Sequence, residues 1–210
     1  LKSPLQQLVD QITTDHKIEL FIKRDDLIHP HISGNKWRKL KHYLQPAIRE
    51  GSVVTFGGAY SNHIAATAAA GKLHGFNTIG FIRGEEHDTL NPTLLYATKC
   101  GMQLRYLSRS QYKLKDQNDF LADLRLQYPD SIIIPEGGYS KTGAKGCSEI
   151  TSEIGIDYDY LITACGTGTT IAGVLNSTKN SQTVIGIPVL KQGYFIEENV
   201  KTLTGTKHPN

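Results

Sequence analysis

The sequence lacks long apolar runs, clustered cysteines and a strong excess of charge. No stretch of its 210 residues approaches the roughly 18 consecutive apolar residues that a membrane span needs. Its three cysteines are far apart, without a CxxC pair or an even-numbered disulfide framework. The formal net charge of +3 is too small for a nucleic-acid-binding surface. These absences predict a cytoplasmic protein that binds neither membranes nor nucleic acids.

Motifs for metal, nucleotide and serine-hydrolase sites are missing or incomplete. The eight histidines show no metal-ligand spacing beyond the short His-Pro-His segment at 29–31, and there is no GxSxG elbow. A Walker-type glycine spacing has Ala144 where the lysine should be. A dinucleotide fingerprint beginning at Gly166 has Ile171 in place of its third glycine. We therefore expect neither a nucleotide site nor a metal site.

Short apolar runs alternate with helical patterns along the chain. This alternation is typical of parallel sheets covered by helices on both faces. No linker marks a domain boundary, so two domains would have to be interleaved. The predicted strands span residues 18–22, 53–56, 77–82, 103–107, 131–134, 160–164 and 183–190, and the predicted helices span residues 34–49, 61–74, 91–100, 116–128, 142–154 and 170–177.

Three glycine-rich segments each follow a predicted strand and begin a predicted helix. They are GGAYSNH at 57–63, EGGYS at 136–140 and CGTGTT at 165–170. In open parallel sheets, ligands bind beyond the carboxyl ends of the strands, close to helix N-termini that attract anions. The third segment favours phosphate, because its glycines permit close backbone approach and its threonines add hydroxyl donors. A plain glycine-rich turn is the alternative interpretation.

Lys36 lies in the first turn of a predicted helix, where a cation is unfavourable. Lys39 follows three residues later on the same helix face. Both effects would lower the pKa of Lys36 and favour its neutral, nucleophilic form. The alternative is a solvated basic helix face, since Arg38, Lys39 and Lys41 are close by.

Four motifs, taken together and in order, resemble a known family. The segments KRDDL…SGNKWRKL, GGAYSNH, IPEGGYSKTGAKG and ACGTGTT are similar to those of pyridoxal-phosphate enzymes of the tryptophan-synthase-β fold type. Within that type, they most resemble the group that contains 1-aminocyclopropane-1-carboxylate deaminase and D-cysteine desulfhydrase. The resemblance extends from about residue 20 to about residue 190.

The resemblance implies that pyridoxal 5′-phosphate is the cofactor, and it assigns residues to the site. Lys36 would be the Schiff-base lysine, and Asn62 would hydrogen-bond the 3′-oxygen of the cofactor. Ser61 takes the position of the family's active-site serine, and Tyr139 falls in the loop that faces the substrate, so both are catalytic candidates beside Lys36. The implied phosphate-binding loop consists of Gly166, Thr167, Gly168, Thr169 and Thr170.

The resemblance also implies an α/β fold of two parallel-sheet, three-layer domains, the smaller inserted in the larger, with the cofactor in the cleft between them (fold type II). The small domain would span residues 39–142, and the large cofactor-binding domain residues 1–38 and 143–210. A further C-terminal segment, which completes the large domain and supplies the partner of the pyridine nitrogen, is expected beyond the printed sequence.

The implied activity is a lyase or deaminase reaction that converts a small amino acid to a 2-oxo acid and ammonia, carried out by a homodimer. The substrate would be D-cysteine-like or 1-aminocyclopropane-1-carboxylate, and we favour the desulfhydrase-type reaction. Better-known members carry an arginine and often a glutamine where this chain has Ala65 and Ala66, which indicates a divergent branch. The alternative is a non-catalytic α/β module that binds a small anionic metabolite through the same loops.

Overall fold

A computed structural model describes residues 2–205 of the chain. Within this range the chain forms eight strands and ten α-helices, with short 3₁₀ turns at Asp25–Leu27 and Glu136–Gly138. The strands are β1 (Leu5–Leu8), β2 (Leu20–Lys23), β3 (Ser52–Gly58), β4 (Asn77–Arg83), β5 (Gln103–Leu107), β6 (Ile132–Ile134), β7 (Tyr160–Cys165) and β8 (Thr183–Pro188). The helices are α1 (Gln11–Asp15), α2 (Asn35–Lys41), α3 (Leu44–Glu50), α4 (Asn62–His74), α5 (Pro92–Lys99), α6 (Arg109–Tyr112), α7 (Asn118–Gln127), α8 (Lys141–Ser152), α9 (Thr169–Leu175) and α10 (Phe195–Thr204).

A four-stranded parallel sheet in the order β5-β4-β3-β6 organises the middle of the chain. The two central strands are buried along nearly their whole length, because helices cover both faces of the sheet. Val53 of β3 packs with residues of α2, α3 and α4 on one face. Val54 and Phe56 pack with residues of α6 and α7 on the other face. This arrangement confirms the predicted α/β fold.

Strands β7 and β8 form a separate two-stranded parallel sheet. Helices α8, α9 and α10 pack beside it and beside one another. Large apolar side chains also remain exposed on this sheet, with Ile162 at 59% and Ile187 at 55%. Strands β1 and β2 pair antiparallel, an arrangement that the strand–helix alternation did not predict.

Two glycines allow the backbones of α2, α8 and α9 to pack closely. A Cβ atom at Gly146 of α8 would collide with the carbonyl oxygen of Arg38 on α2. A Cβ atom at Gly173 of α9 would collide with the carbonyl oxygen of Ala144 on α8. The middle helix, α8, is therefore in backbone contact with both of its neighbours.

The single helix predicted for residues 34–49 is wrong. The segment forms two helices, because α2 ends at Lys41 and α3 begins at Leu44. Pro46 accounts for the break: it lacks the N–H that a continuous helix requires, and its ring clashes with the carbonyl group of His42, four residues earlier.

The predicted domain division remains a prediction. The central sheet lies within residues 39–142, whereas the β1–β2 and β7–β8 pairs lie within residues 1–38 and 143–210. Residue 1 and residues 206–210 of the predicted large domain are outside the described part of the chain. Across residues 2–205, no helix is long and apolar enough to cross a membrane.

Candidate active site

The start of α2 places Lys36 between two of the glycine-rich loops. The backbone N–H of Gly34, which precedes the helix, donates to the carbonyl oxygen of Asp25 (3.0 Å). Asn35 donates from Nδ2 to Oγ1 of Thr170 (3.1 Å), so the first residue of α2 is tied to the third loop. Lys36 donates from Nζ to the carbonyl oxygen of Gly137 in the second loop (3.4 Å).

A cavity of about 110 Å³ separates Lys36 from the third glycine-rich loop. Its walls come from α2, from the end of β7 and from the beginning of α9, which brings together parts of the chain that are more than 120 positions apart. The lining residues are Asn35, Lys36, Lys39, Ala164, Cys165, Gly166, Thr167, Gly168, Thr170 and Ile171.

Burial changes the ionisation of the two lysines of this cavity. Burial, followed by the nearby charge of Lys39, lowers the pKa of Lys36 from 10.5 to about 7. The pKa of Lys39 is also lowered by burial, and its side chain is only 3% exposed. Among residues 2–205, no carboxylate forms an ion pair with either lysine. A large fraction of Lys36 is therefore neutral at neutral pH.

The interpretation of this segment as a solvated basic face is wrong for two of its members. Arg38 and Lys39 are both buried, at 1% and 3% exposure. Lys39 also lines the cavity, whereas the sequence predicted it only as a charge close to Lys36. The three-residue spacing from Lys36 is the signal that places both side chains on one helix face.

The loop predicted to bind phosphate connects β7 to α9. Gly168 is buried and has a φ of +83°, a conformation that glycine adopts without strain. Gly166, Thr167, Gly168 and Thr170 line the cavity, but Thr169 does not. The Thr169 hydroxyl is fully buried and lies 2.9 Å from Oγ1 of Thr167, so its contact is with the loop itself.

Helix α10, which was not predicted from the sequence, supports this loop. Asn199 donates from Nδ2 to the carbonyl oxygen of Thr167 (3.1 Å). A Cβ atom at Gly168 would lie 3.3 Å from the carbonyl oxygen of Ile196. The loop is thus held between the cavity and α10.

Ser61 and Asn62 lie at the beginning of α4 and do not belong to the cavity lining. Ser61 is the N-cap residue, and its Oγ accepts a hydrogen bond from the N–H of Ile64 (3.4 Å). Asn62 is exposed. The next residue, His63, has its pKa lowered well below 6.5 by burial and by the charges of Lys36 and Lys39. The start of α4 is therefore within electrostatic reach of the two lysines.

His63 anchors the beginning of α4 to the central sheet. Thr55 of β3 donates its hydroxyl proton to the carbonyl oxygen of Ile134 (2.8 Å), so it accepts from His63 Nε2–H at 2.9 Å. His63 Nδ1 is buried and has no hydrogen-bond partner within the described part of the chain. This anchoring role was not predicted from the sequence, although His63 stands next to two predicted site residues.

Tyr139 is half-buried against a small apolar cluster formed by α8, α9 and α10. Its hydroxyl donates to the carbonyl oxygen of Asn199 (3.4 Å), and its ring packs against Ala144, Ala172 and Leu203. Tyr139 does not line the Lys36 cavity. The catalytic role of Tyr139 remains a prediction that these contacts do not support.

The cavity fits a phosphorylated aldehyde better than a neutral ligand. When Lys36 and Lys39 are protonated, they bring positive charge into a buried site that no carboxylate of residues 2–205 pairs with. A phosphate dianion would compensate that charge and accept hydrogen bonds from the threonine hydroxyls. A neutral amine on Lys36 is the group that reacts with an aldehyde. The residues present therefore fit pyridoxal phosphate.

The comparisons with known proteins agree with this chemistry. The chain belongs to the family described as pyridoxal-phosphate dependent enzymes, which matches residues 2–193. Over 96% of the chain, it is 32% identical to a Pyrococcus abyssi protein named "Putative 1-aminocyclopropane-1-carboxylate deaminase", and it covers 64% of that protein. Over 74% of the chain, it is 31% identical to a mitochondrial bifunctional D-cysteine desulfhydrase/1-aminocyclopropane-1-carboxylate deaminase of Arabidopsis thaliana, 44% of which is covered.

A crystal structure of a 1-aminocyclopropane-1-carboxylate deaminase homologue is similar to this fold. It matches 98% of the chain with a TM-score of 0.83 and 28% sequence identity, and 66% of that structure is covered. The chain thus spans about two thirds or less of the length of these three proteins. The family confirms pyridoxal phosphate as the cofactor, and the family and the structural match confirm the predicted fold type.

Proposed function

We propose that the protein releases ammonia from a small amino acid and leaves a 2-oxo acid, with a D-cysteine-like substrate favoured over 1-aminocyclopropane-1-carboxylate. The observation that carries the proposal is the amine of Lys36, whose pKa burial lowers to about 7 in a cavity beside the Gly166–Thr170 loop. The names of the Arabidopsis protein and of a Klebsiella pneumoniae D-cysteine desulfhydrase, 28% identical over 74% of the chain, support this substrate class.

The phosphate group would be held by the third loop and by Lys39. Gly166 and Gly168 allow the backbone to approach an anion closely, and Thr167 and Thr170, which can offer hydroxyl groups, line the same cavity. Lys39 adds a buried positive charge to that wall. These residues would hold the phosphate end of the cofactor on the wall opposite Lys36.

Lys36 would be both the covalent anchor and the base. When bound, pyridoxal phosphate supplies an electron sink next to the α-carbon of the substrate. The neutral Nζ of Lys36, freed when the substrate amine takes its place, would accept the α-proton, and the substrate sulfur would leave the β-carbon as hydrosulfide, which takes up that proton to become hydrogen sulfide. D-cysteine and water are thereby converted to the 2-oxo acid, hydrogen sulfide and ammonia.

The cavity lining favours this reaction over ring opening of the cyclopropane substrate. That substrate has no α-proton, so ring opening requires a nucleophile or a base at a ring carbon. Ser61 and Tyr139 are the candidates that the resemblance provides, and neither lines the cavity. The desulfhydrase-type reaction needs only the amine of Lys36, and Lys36 lines the cavity.

The anchor is tested with the protein expressed from its complete reading frame. Wild-type protein incubated with pyridoxal phosphate should become yellow, and borohydride should fix the cofactor on Lys36, as identified by peptide mass spectrometry. Lys36→Ala should abolish the visible absorbance and the adduct. The matched control, Lys145→Ala, removes an exposed lysine of α8 and should behave as wild type. An adduct on another lysine would overturn the assignment.

The substrate class is tested by incubating the yellow protein with D-cysteine and, separately, with 1-aminocyclopropane-1-carboxylate. Sulfide and a 2-oxo acid from D-cysteine are the expected products. A protein that carries the adduct on Lys36 but forms a 2-oxo acid from neither compound would contradict this substrate class. A protein that stays colourless while binding phosphate would favour the non-catalytic anion-binding module. The proposal includes a homodimer in the cytoplasm, and light scattering during gel filtration tests the homodimer.

A further inference from the structure

Arg38 holds two carboxylates through a double fork at the back of α2. Its Nε and Nη2 donate to the Asp25 carboxylate at 3.1 and 2.8 Å. Its Nη1 and Nη2 donate to the Glu153 carboxylate at 2.5 and 2.8 Å. The Arg38 side chain is 1% exposed, and the Asp25 and Glu153 side chains are 15% and 8% exposed, so these charge-assisted bonds are largely shielded from solvent.

The same network reaches the residue just before α2. Asp25 accepts the backbone N–H of Gly34 through its carbonyl oxygen (3.0 Å), while its carboxylate holds Arg38. Asp25 therefore holds the chain on both sides of Lys36, at Gly34 before it and at Arg38 after it. Glu153, which is also paired with Lys23 at 2.8 Å, connects Arg38 to the end of α8.

Helix α2 depends on such attachments. It has seven residues, and its N-cap, Gly34, provides no side-chain hydrogen bond. A helix of this length is not stable on its own, so its orientation is set by tertiary contacts. Residues two positions apart point to nearly opposite sides of a helix, which is why Arg38 can bind the network while Lys36 faces the cavity.

We infer that Arg38 is a positioning residue for Lys36: its fork to Asp25 and Glu153 holds the first turn of α2 so that the amine stays in the cavity. This inference rests on the proposed role of Lys36. It goes beyond that role by assigning a function to a buried ion network that touches neither the cavity nor a substrate. Burial also lowers the pKa of Lys36 only as long as the amine remains there.

The test compares two variants with one control. Arg38→Lys keeps the charge but loses the fork, and Glu153→Gln weakens one arm of the fork while Arg38 and Asp25 stay paired. The control, Glu149→Gln, weakens the partly exposed pair of Glu149 with Lys41, which also joins α2 to α8. A loss of helix packing alone would affect all three variants, whereas a loss of positioning would affect only the first two.

Each full-length protein is first prepared without cofactor, and pyridoxal phosphate is then added at a temperature where circular dichroism shows that the protein is folded. The experiment measures the rate at which the adduct forms on Lys36 and the pH at which that rate is half-maximal. The titratable or charged groups that act on Lys36 or are affected by its charge are Lys39, Glu136, Cys147 and His63, and all remain in the variants.

We expect the rate in Glu153→Gln and Arg38→Lys to fall at least about tenfold, and the pH midpoint to rise as the amine leaves its buried position. Glu149→Gln should stay within about twofold of wild type. Wild-type rate and midpoint in Glu153→Gln would overturn the inference, even if Arg38→Lys does not fold. Absence of a Lys36 adduct in the wild type would instead overturn the proposed function, and the inference with it.

Discussion

Replacing Lys36 by methionine should stabilise the cofactor-free protein at neutral pH. Because burial lowers the pKa of Lys36 from 10.5 to about 7, the folded state binds this proton more weakly than the unfolded state does. Below about pH 7 the folded protein carries the full cost of protonating a buried amine, which amounts to about 5 kcal/mol. Lys36→Met removes that cost, so the variant should be more stable than the wild type by several kcal/mol at pH 7.

The sign of the pH dependence follows from the same argument. Between about pH 7 and 10.5 the unfolded chain binds one more proton at Lys36 than the folded chain, so wild-type stability rises with pH across this window. The rise caused by Lys36 should be absent in Lys36→Met, and the two proteins should converge near the upper end. Lys39, whose pKa is also lowered by burial, adds a slope of its own to both proteins, so the comparison measures the titration of Lys36 together with its repulsion of Lys39.

Urea unfolding of both proteins, at a series of pH values from about 6 to 10, measures this difference. Lys145→Met is the control, since it removes an exposed lysine from α8 and should follow the wild-type profile. Parallel profiles for wild type and Lys36→Met would refute the reasoning. They would mean that the amine of Lys36 is hydrated in the folded state and is not the neutral nucleophile on which the proposed function depends.

Three further substitutions test the packing around the site. Gly168→Val requires a strained φ of +83° and crowds α10, so the apparent dissociation constant for pyridoxal phosphate should rise at least about tenfold, measured by equilibrium dialysis. Gly146→Ala pushes α8 away from the Arg38 carbonyl and should lower the free energy of unfolding by about 1–3 kcal/mol in urea titrations. Thr55→Val leaves His63 Nε2–H without its acceptor and should cost about 1–3 kcal/mol by the same measurement, whereas Thr55→Ser should cost less.

Features that depend on neighbouring residues were predictable from the sequence. The helix beginning at 61 and the helix opened by Pro92 have local signals, and the structure shows Ser61 and Asn91 as their N-cap residues. A helix start made Lys36 a candidate nucleophile, and a strand–glycine–helix junction made the Gly166–Thr170 loop a candidate phosphate site, each beside a plain alternative. The family resemblance then favoured both candidates over these alternatives. Pro46 was also a local signal for the break between α2 and α3, but the helical spacing of the apolar residues in this segment favoured one continuous helix.

Features that depend on distant residues were not predictable. Burial of Arg38 requires Glu153, which is 115 positions away, and without that partner a basic residue is expected on the surface. Placement of Lys39 in the cavity wall requires β7 and α9 to meet α2. Support of the third loop by Asn199 requires α10, which follows the last predicted strand. Such partners are identified only once the chain is folded.

The close contacts at Gly146 and Gly173 determine which parts of the site can move. Through α8, they join the helix that carries Lys36 to the helix that follows the Gly166–Thr170 loop, without intervening side chains. A molecule attached to Lys36 at one end and to that loop at the other would rest on one rigid unit and would not be stretched when the remainder of the protein shifts.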